Sequence, residues 1–179
     1  QTYYSKNSFN NKYGVPLSII NSPQSTKFSV LEVGMDKKGE INTLTKLIRP
    51  NLGLITNISY AHIKNFRNLD EIAKAKGEII NNISPSGVMI INKDDKYCNY
   101  FISKAKMRNL NIITFSKKNK LAEVVYLGKR KNRNKFLCKF LINGKIKFFL
   151  IPDYLIDFKE NILSTLSIIT VSYTHLRAH

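Results

Sequence analysis

The sequence predicts an α/β protein in which a mostly parallel, doubly wound sheet carries an appended antiparallel β meander. Three observations carry that prediction. Up to about residue 115, short apolar runs of strand length alternate with segments whose apolar residues recur at helical spacing, which is the βαβ pattern. Polar groups, namely Glu32, His62 and the run at 92–95 (NKDD), fall at or just past the ends of the parallel-type strands, where open α/β sheets place their sites. Beyond Lys120 the period changes to that of strands, and the last two are joined by Asn143-Gly144, a strong hairpin signal.

Residues 28–33 (FSVLEV) read as a buried strand rich in β-branched and aromatic side chains, ended by Gly34 at a turn. In residues 39–48, Ile41, Leu44, Leu47 and Ile48 lie at helical spacing, and Pro50 forbids continuation. Residues 52–56 (LGLIT) form a second short strand whose polar exit, 57–66, is a loop containing His62. Asn68 or Asp70 can cap a helix running to about Asn82. Residues 87–91 (GVMII) make the next strand, and a helix over 97–107 with a strand over 111–115 repeats the unit. Right-handed crossovers would arrange these strands in parallel. The meander strands are expected over 124–127, 136–142 and 145–151, and a further helix starts in 162–169.

A chain of 179 residues is long enough for one ordinary domain with a real core. Its net charge of +17, from 29 Lys+Arg against 12 Asp+Glu, would by itself suggest an anionic partner such as nucleic acid. The basic residues are spread along the chain, however, and abundant Lys, Asn and Ile match the codon drift of an A- and T-rich genome. The one dense run, Lys129, Arg130, Lys131, Arg133 and Lys135, reads as a solvated hairpin turn, and no basic motif is interleaved with aromatics. No nucleic acid is expected as a partner. Cys98 and Cys138 have neither C-x-x-C spacing nor a nearby His, so they read as reduced core thiols. No apolar run approaches the roughly 20 residues of a membrane-spanning helix, and the first eight residues lack a signal-peptide plan. No membrane partner, a monomer and a cytoplasmic location are the expectations.

Four short segments occur in one order: SFNNKYGVPL at 8–17, VLEVGMDKKGEI at 30–41, GLITNISYAHIKNF at 53–66 and LDEIAKAKGEI at 69–79. Together they resemble the central domain of the Mur ligases, over about residues 5–95. Their wording is most similar to the branch of that family that uses D-alanyl-D-alanine. The resemblance implies a P-loop NTPase-like fold over residues 1–170, lacking its first strand and phosphate loop. It also implies an ATP- and Mg2+-dependent amide ligase that joins D-alanyl-D-alanine to UDP-N-acetylmuramoyl-tripeptide through an acyl-phosphate. The alternatives are a sister Mur-type or folylpolyglutamate-type amide ligase or, on charge alone, a basic nucleic-acid-binding module. Residues 171–179 do not continue the resemblance. They look like translated sequencing-adapter DNA and are expected to lie outside the fold.

The site residues can be read with and without that likeness. A helical lysine such as Lys76 is ordinarily solvated or paired, but by resemblance it reacts with carbon dioxide to give a carbamate, a bidentate oxygen ligand for magnesium. Lys74, two residues earlier, points elsewhere on the helix. Glu32, at the end of an apolar strand, is costly to bury unless paired or metal-bound. By resemblance it is a magnesium ligand. His62 alone would pass for a surface or core histidine, whereas in the family pattern it is a metal ligand. Glu32, His62 and carbamylated Lys76 would then form one catalytic magnesium site. Asn10 and Asn11 read either as an Asn-rich turn into a Pro-stiffened strand or, by resemblance, as residues beside the uridine-diphosphate substrate, together with Asn57. Asp36, Gly39 and Glu40 complete the M-x-x-x-G-E-I pattern, with Gly39 and Glu40 read as helix-start residues.

Two departures stand out. No G-x-x-x-x-G-K-[ST] loop occurs in the sequence, so nothing in it is expected to cradle the ATP phosphates, and these residues alone are expected to be inactive. Where the family has H-N-x-x-N against the adenine, this chain has Asp157, Phe158, Lys159, Glu160 and Asn161, which leaves only Asn161 as the cofactor contact.

Overall fold

The computed structural model describes residues 1–60 and 65–176. The chain forms two compact units, Gln1–Asn51 with Ile58–Ser84, and Leu52–Asn57 with Pro85–His179.

In the first unit, β1 (Thr2–Tyr4) pairs in parallel with β2 (Phe28–Val30). This corrects the expectation of a buried strand over 28–33: β2 has three residues, all exposed. Apolar spacing reports strand propensity but not which partner covers the strand, and among the described residues β2 pairs only with the equally short β1. Residues 14–20 form α1 (Gly14–Ile20) instead of the Pro-stiffened strand. Pro16 is tolerated there because a first-turn N–H has no intrahelical acceptor. Helix α2 (Glu40–Ile48) buries Ile41, Leu44 and Thr45. Helix α3 (Leu69–Lys76) starts at Asn68, whose side chain accepts the N–H of Glu71 at 3.0 Å. Glu71 in turn accepts the N–H of Arg67, a reciprocal cap close to the capping box. The predicted single helix to Asn82 tightens after Lys76 into a 3₁₀ helix, Gly77–Asn82. Ile72 and Ala75 pack with Phe66, and Met35, Ile58 and Leu69 close over that cluster.

The second unit is a six-stranded sheet in the order β3 (Leu52–Ile55), β4 (Val88–Asn92), β5 (Asn111–Ser116), β6 (Val124–Asn132), β7 (Lys135–Ile142) and β8 (Lys145–Pro152). The first four strands are parallel and the last three form the antiparallel meander. Every residue of β4 is buried, as expected of a strand covered on both faces. Val88 and Ile90 share a core with Phe115, Val124, Phe140 and Leu163. Met89 and Ile91, of alternate parity, are equally buried, and α4 (Cys98–Met107) packs on β4 and β5. Both cysteines are free and buried, and burial raises both thiols above their usual range.

The basic run lies in the β6–β7 hairpin and is exposed, but the turn is tighter than expected. Lys129 to Lys131 belong to β6, Arg133 sits in the turn and Lys135 begins β7. The ammonium groups of Lys129 and Lys131 lie over the Phe136 ring, 4.1 and 4.5 Å from its centroid. Asn143 and Gly144 have φ of 47° and 74°, the two positive values a type I′ turn requires. Helix α5 (Lys159–Leu176) runs into the segment expected to lie outside the fold, and Val171 is buried in the same core as Leu163. The i, i+4, i+8 spacing of Leu163, Ser167 and Val171, all buried, extends one helical face past residue 170.

Candidate functional site

Most of the expected magnesium-site residues fall in the first unit. Glu32 lies two residues beyond β2 and is exposed, so its position imposes no burial cost, contrary to the reasoning from an apolar strand. Its Oε1 accepts the side-chain amide of Asn10 at 2.9 Å, and its backbone N–H donates to Ser5 Oγ at 3.3 Å. Asn11 Oδ1 accepts the N–H groups of Tyr13 and Gly14, each at 3.0 Å, which turns the chain into α1. Neither Asn side chain is therefore idle before any substrate arrives. Lys76 is half-buried at the last position of α3, whereas Lys74 is exposed, as helical geometry requires. His62 lies outside the described residues.

Glu78, two residues past Lys76, was not singled out from the sequence, yet it organises this unit. It is 8% exposed, and its two oxygens accept the N–H of Gly39 at 2.8 and 3.1 Å and that of Asn42 at 3.1 Å. The carboxylate thus caps the N-terminus of α2 from a distant segment, where the helix dipole favours negative charge. Asn82 adds a second tie, its amide reaching Asn42 Oδ1 at 3.0 Å and Thr45 Oγ1 at 2.9 Å. Glu40 closes the preceding loop by accepting the N–H groups of Asp36 and Lys37, at 2.6 and 3.0 Å. Those two bonds hold the Glu40 carboxyl below the usual carboxylate range. The M-D-K-K-G-E and K-G-E segments are thereby cross-tied. The sequence signal for this was an acid beside the apolar Ile79 and Ile80 in a buried helical stretch.

The second unit gathers polar groups at the carboxyl ends of its parallel strands. Asn92 donates to Thr56 O at 2.9 Å, while its Oδ1 accepts the N–H of Asp94. Asp94 accepts Ser116 Oγ at 2.5 Å and the N–H of Lys117 at 2.6 Å. Lys117 pairs with Glu160 at 2.5 Å, and Glu160 also accepts the Asn57 amide at 3.2 Å. The lysine contact, followed by that amide, lowers the Glu160 carboxyl against the opposing effect of burial. Asn161, next to it at the start of α5, is exposed, and its carbonyl accepts the hydroxyls of Ser164 and Thr165. The departures from H-N-x-x-N are Asp157 and Phe158; Glu160 occupies an unspecified position of that pattern and ties Asn57 to Lys117.

A parallel α/β sheet with polar side chains converging at its strand ends defines a protein of the open α/β class whose ligands sit at that end. Residues 1–165 match the Mur ligase middle domain, and the chain belongs to that family. It is 32% identical over 170 residues to the UDP-N-acetylmuramoyl-tripeptide--D-alanyl-D-alanine ligase of Rickettsia prowazekii, an alignment covering 94% of this chain and 38% of that one. A crystal structure of MurF from Acinetobacter baumannii superposes with a TM-score of 0.76 at 26% identity, covering 84% of this chain and 32% of the other. MurF ligase from Thermotoga maritima, solved in complex with ADP, shares the fold with a TM-score of 0.70 at 21% identity, over 83% and 34%. The chain thus spans about a third of the length of these relatives. The family match extends well past the four segments in which the likeness was read. Among the described residues, no helix is long and apolar enough to cross a membrane.

Proposed function

We propose that this chain is part of the central domain of an ATP-dependent ligase that joins D-alanyl-D-alanine to UDP-N-acetylmuramoyl-tripeptide in the cytoplasm, with residues 1–170 forming the domain portion and 171–179 an added tail whose first residues prolong α5. The observation that carries this reading is the likeness to the Rickettsia ligase along 94% of the chain. In the proposed reaction, a carboxylate oxygen of the tripeptide attacks the γ-phosphorus of ATP, giving an acyl-phosphate and ADP. The amine of D-alanyl-D-alanine then attacks the acyl carbon, phosphate leaves, and the nitrogen loses a proton as the amide forms. Catalysis of this kind is chiefly positioning and charge neutralisation.

The donor set suits magnesium, a hard cation that takes carboxylate oxygens and keeps several waters. Glu32 is exposed and accepts only one hydrogen bond from the described residues, so its second oxygen is available. A carbamate on Lys76 would add two more oxygens and His62 an imidazole. Magnesium would supply charge neutralisation for the phosphates. The chain's own contribution is to hold these ligands: Glu78 and Asn82 tie the Lys76 segment to α2, and Met35 packs on the α3 cluster that ends at Lys76. Asn161 is proposed to contact the adenine, with Asn10, Asn11 and Asn57 on the substrate side.

The test is to express the longer coding sequence and measure phosphate release with UDP-N-acetylmuramoyl-tripeptide and several amino donors. Release dependent on D-alanyl-D-alanine is expected, and its loss in Lys76→Ala. Release only with a different amino donor would assign the chain to a sister ligase. The 179 residues alone are expected to give no precursor-dependent ATP hydrolysis.

A further inference from the structure

The contact between Asn10 and Glu32 has the geometry of a clasp. Asn10 Nδ2 donates to Glu32 Oε1 at 2.9 Å, and Asn10 O accepts the N–H of Gly34 at 2.7 Å, so residue 10 grips the 32–34 segment through both side chain and backbone. A Cβ at position 34 would stand 3.0 Å from Asn10 Cγ and 3.2 Å from both Nδ2 and Oδ1. Glycine at 34 therefore lets the amide plane lie flat against the backbone beside the acid. Asn11 fixes the turn that aims residue 10, while Ser5 holds the other side, its Oγ accepting the N–H of Glu32 and its own N–H donating to Val30 O at 3.1 Å.

We propose that Asn10 is a positioning residue for Glu32, holding one carboxylate oxygen so that the other is presented, already ordered, to a divalent cation. This rests on the reading of Glu32 as a metal ligand. An exposed glutamate free to rotate must be immobilised when it coordinates, and a fixed hydrogen bond does that beforehand. The chemistry of the clasp suits the task. A primary amide donates a hydrogen bond without bringing charge, so it orients the carboxylate without neutralising the charge the cation needs, as a lysine or arginine in its place would. Asn10 accordingly acts on the cation through Glu32.

The test is Mn2+ titration of the 179-residue chain, followed by the electron-paramagnetic-resonance signal of the free ion, for the wild type and for Asn10→Ala, Gly34→Ala and Glu32→Gln, with thermal unfolding as the fold control. Loss of an outer partner of a metal ligand costs about 10- to 100-fold in affinity. Asn10→Ala is expected to weaken Mn2+ at least about tenfold at unchanged melting temperature. Gly34→Ala should weaken it less, by displacing the amide, and Glu32→Gln should abolish binding. Wild-type affinity in Asn10→Ala with binding lost in Glu32→Gln would overturn the clasp while leaving the metal reading intact. Undiminished binding in Glu32→Gln, or none in the wild type, would overturn the metal reading and the clasp with it.

Discussion

Replacing Glu78 with alanine removes the only side-chain acceptor shown for the N–H groups of Gly39 and Asn42, at the N-terminus of α2. Hydrogen bonds to a charged partner are worth about 1.5–3 kcal/mol each net, and loss of an N-cap typically costs about 0.5–2 kcal/mol. Two donors are involved, and at 8% exposure for Glu78 water can reach them only in part, so the loss should fall near 2–4 kcal/mol, between one such bond and two. For a chain of this size each kcal/mol lowers the melting temperature by about 2–4 °C, which gives a drop of roughly 5–15 °C. Glu78→Gln should fall between, because its amide oxygen can still accept one N–H while its NH2 faces the other donor. The assay is thermal unfolding by circular dichroism with amide hydrogen exchange along Glu40–Ile48, and β6 to β8, in the other unit, serve as the internal control. A melting temperature within about 2 °C of the wild type, with unchanged exchange in α2, would refute the capping argument.

Three further outcomes follow from the structure. Gly144→Ala places a Cβ at φ 74° in the β7–β8 turn and should cost about 1 kcal/mol, read as a lowered urea midpoint; no change would remove the type I′ assignment. The Glu160 carboxyl titrates below its usual range because Lys117, and then Asn57, favour its charged form. Its contribution is therefore fully present above the ordinary carboxylate pKa and is lost as pH falls through the lower folded value. The stability gap between wild type and Glu160→Gln should narrow at acid pH, and a gap independent of pH would contradict the ion pair. Cys98 and Cys138, buried and with raised thiol pKa, should resist a thiol reagent until urea unfolds the chain; rapid labelling of both in the native state would contradict their burial.

The parallel sheet and its meander were legible because their signals are local. The buried runs at β3, β4 and β5 and the Asn143-Gly144 turn each follow from a few adjacent residues. What misled was pairing at a distance. The apolar pattern of 28–33 could not say that its partner would be the three residues Thr2–Tyr4, which leave Phe28 and Val30 exposed. The basic run concealed the end of β6 because Lys and Arg avoid cores, yet on an exposed hairpin they pair across the strands, and the ammonium groups of Lys129 and Lys131 sit over Phe136. Among the candidate site residues, the hydrogen-bond partners were not legible. Asn10 carries the substrate-side expectation, and its amide also donates to Glu32 from 22 residues away, a pairing no local pattern announces.

The two motifs that share the letters G-E-I obey one physical rule. In M-D-K-K-G-E-I, the acid Glu40 accepts the N–H groups of the loop that precedes its own helix. In A-K-A-K-G-E-I, the acid Glu78 accepts the N–H groups at the start of that same helix from across the unit. Both carboxylates accept backbone N–H groups at or just before the N-terminus of α2, where negative charge is favourable. Such motifs need not mark residues that touch substrate. A glutamate in each fixes the backbone: Lys76 sits two positions before Glu78 on the segment it ties to α2, whereas Glu32 is held separately by Asn10 and Ser5. Substituting Glu78 should therefore loosen the start of α2 and the Lys76 segment together and substituting Glu40 only the loop before α2, whereas substituting Glu32, exposed and held by one side-chain bond, should leave the fold unchanged.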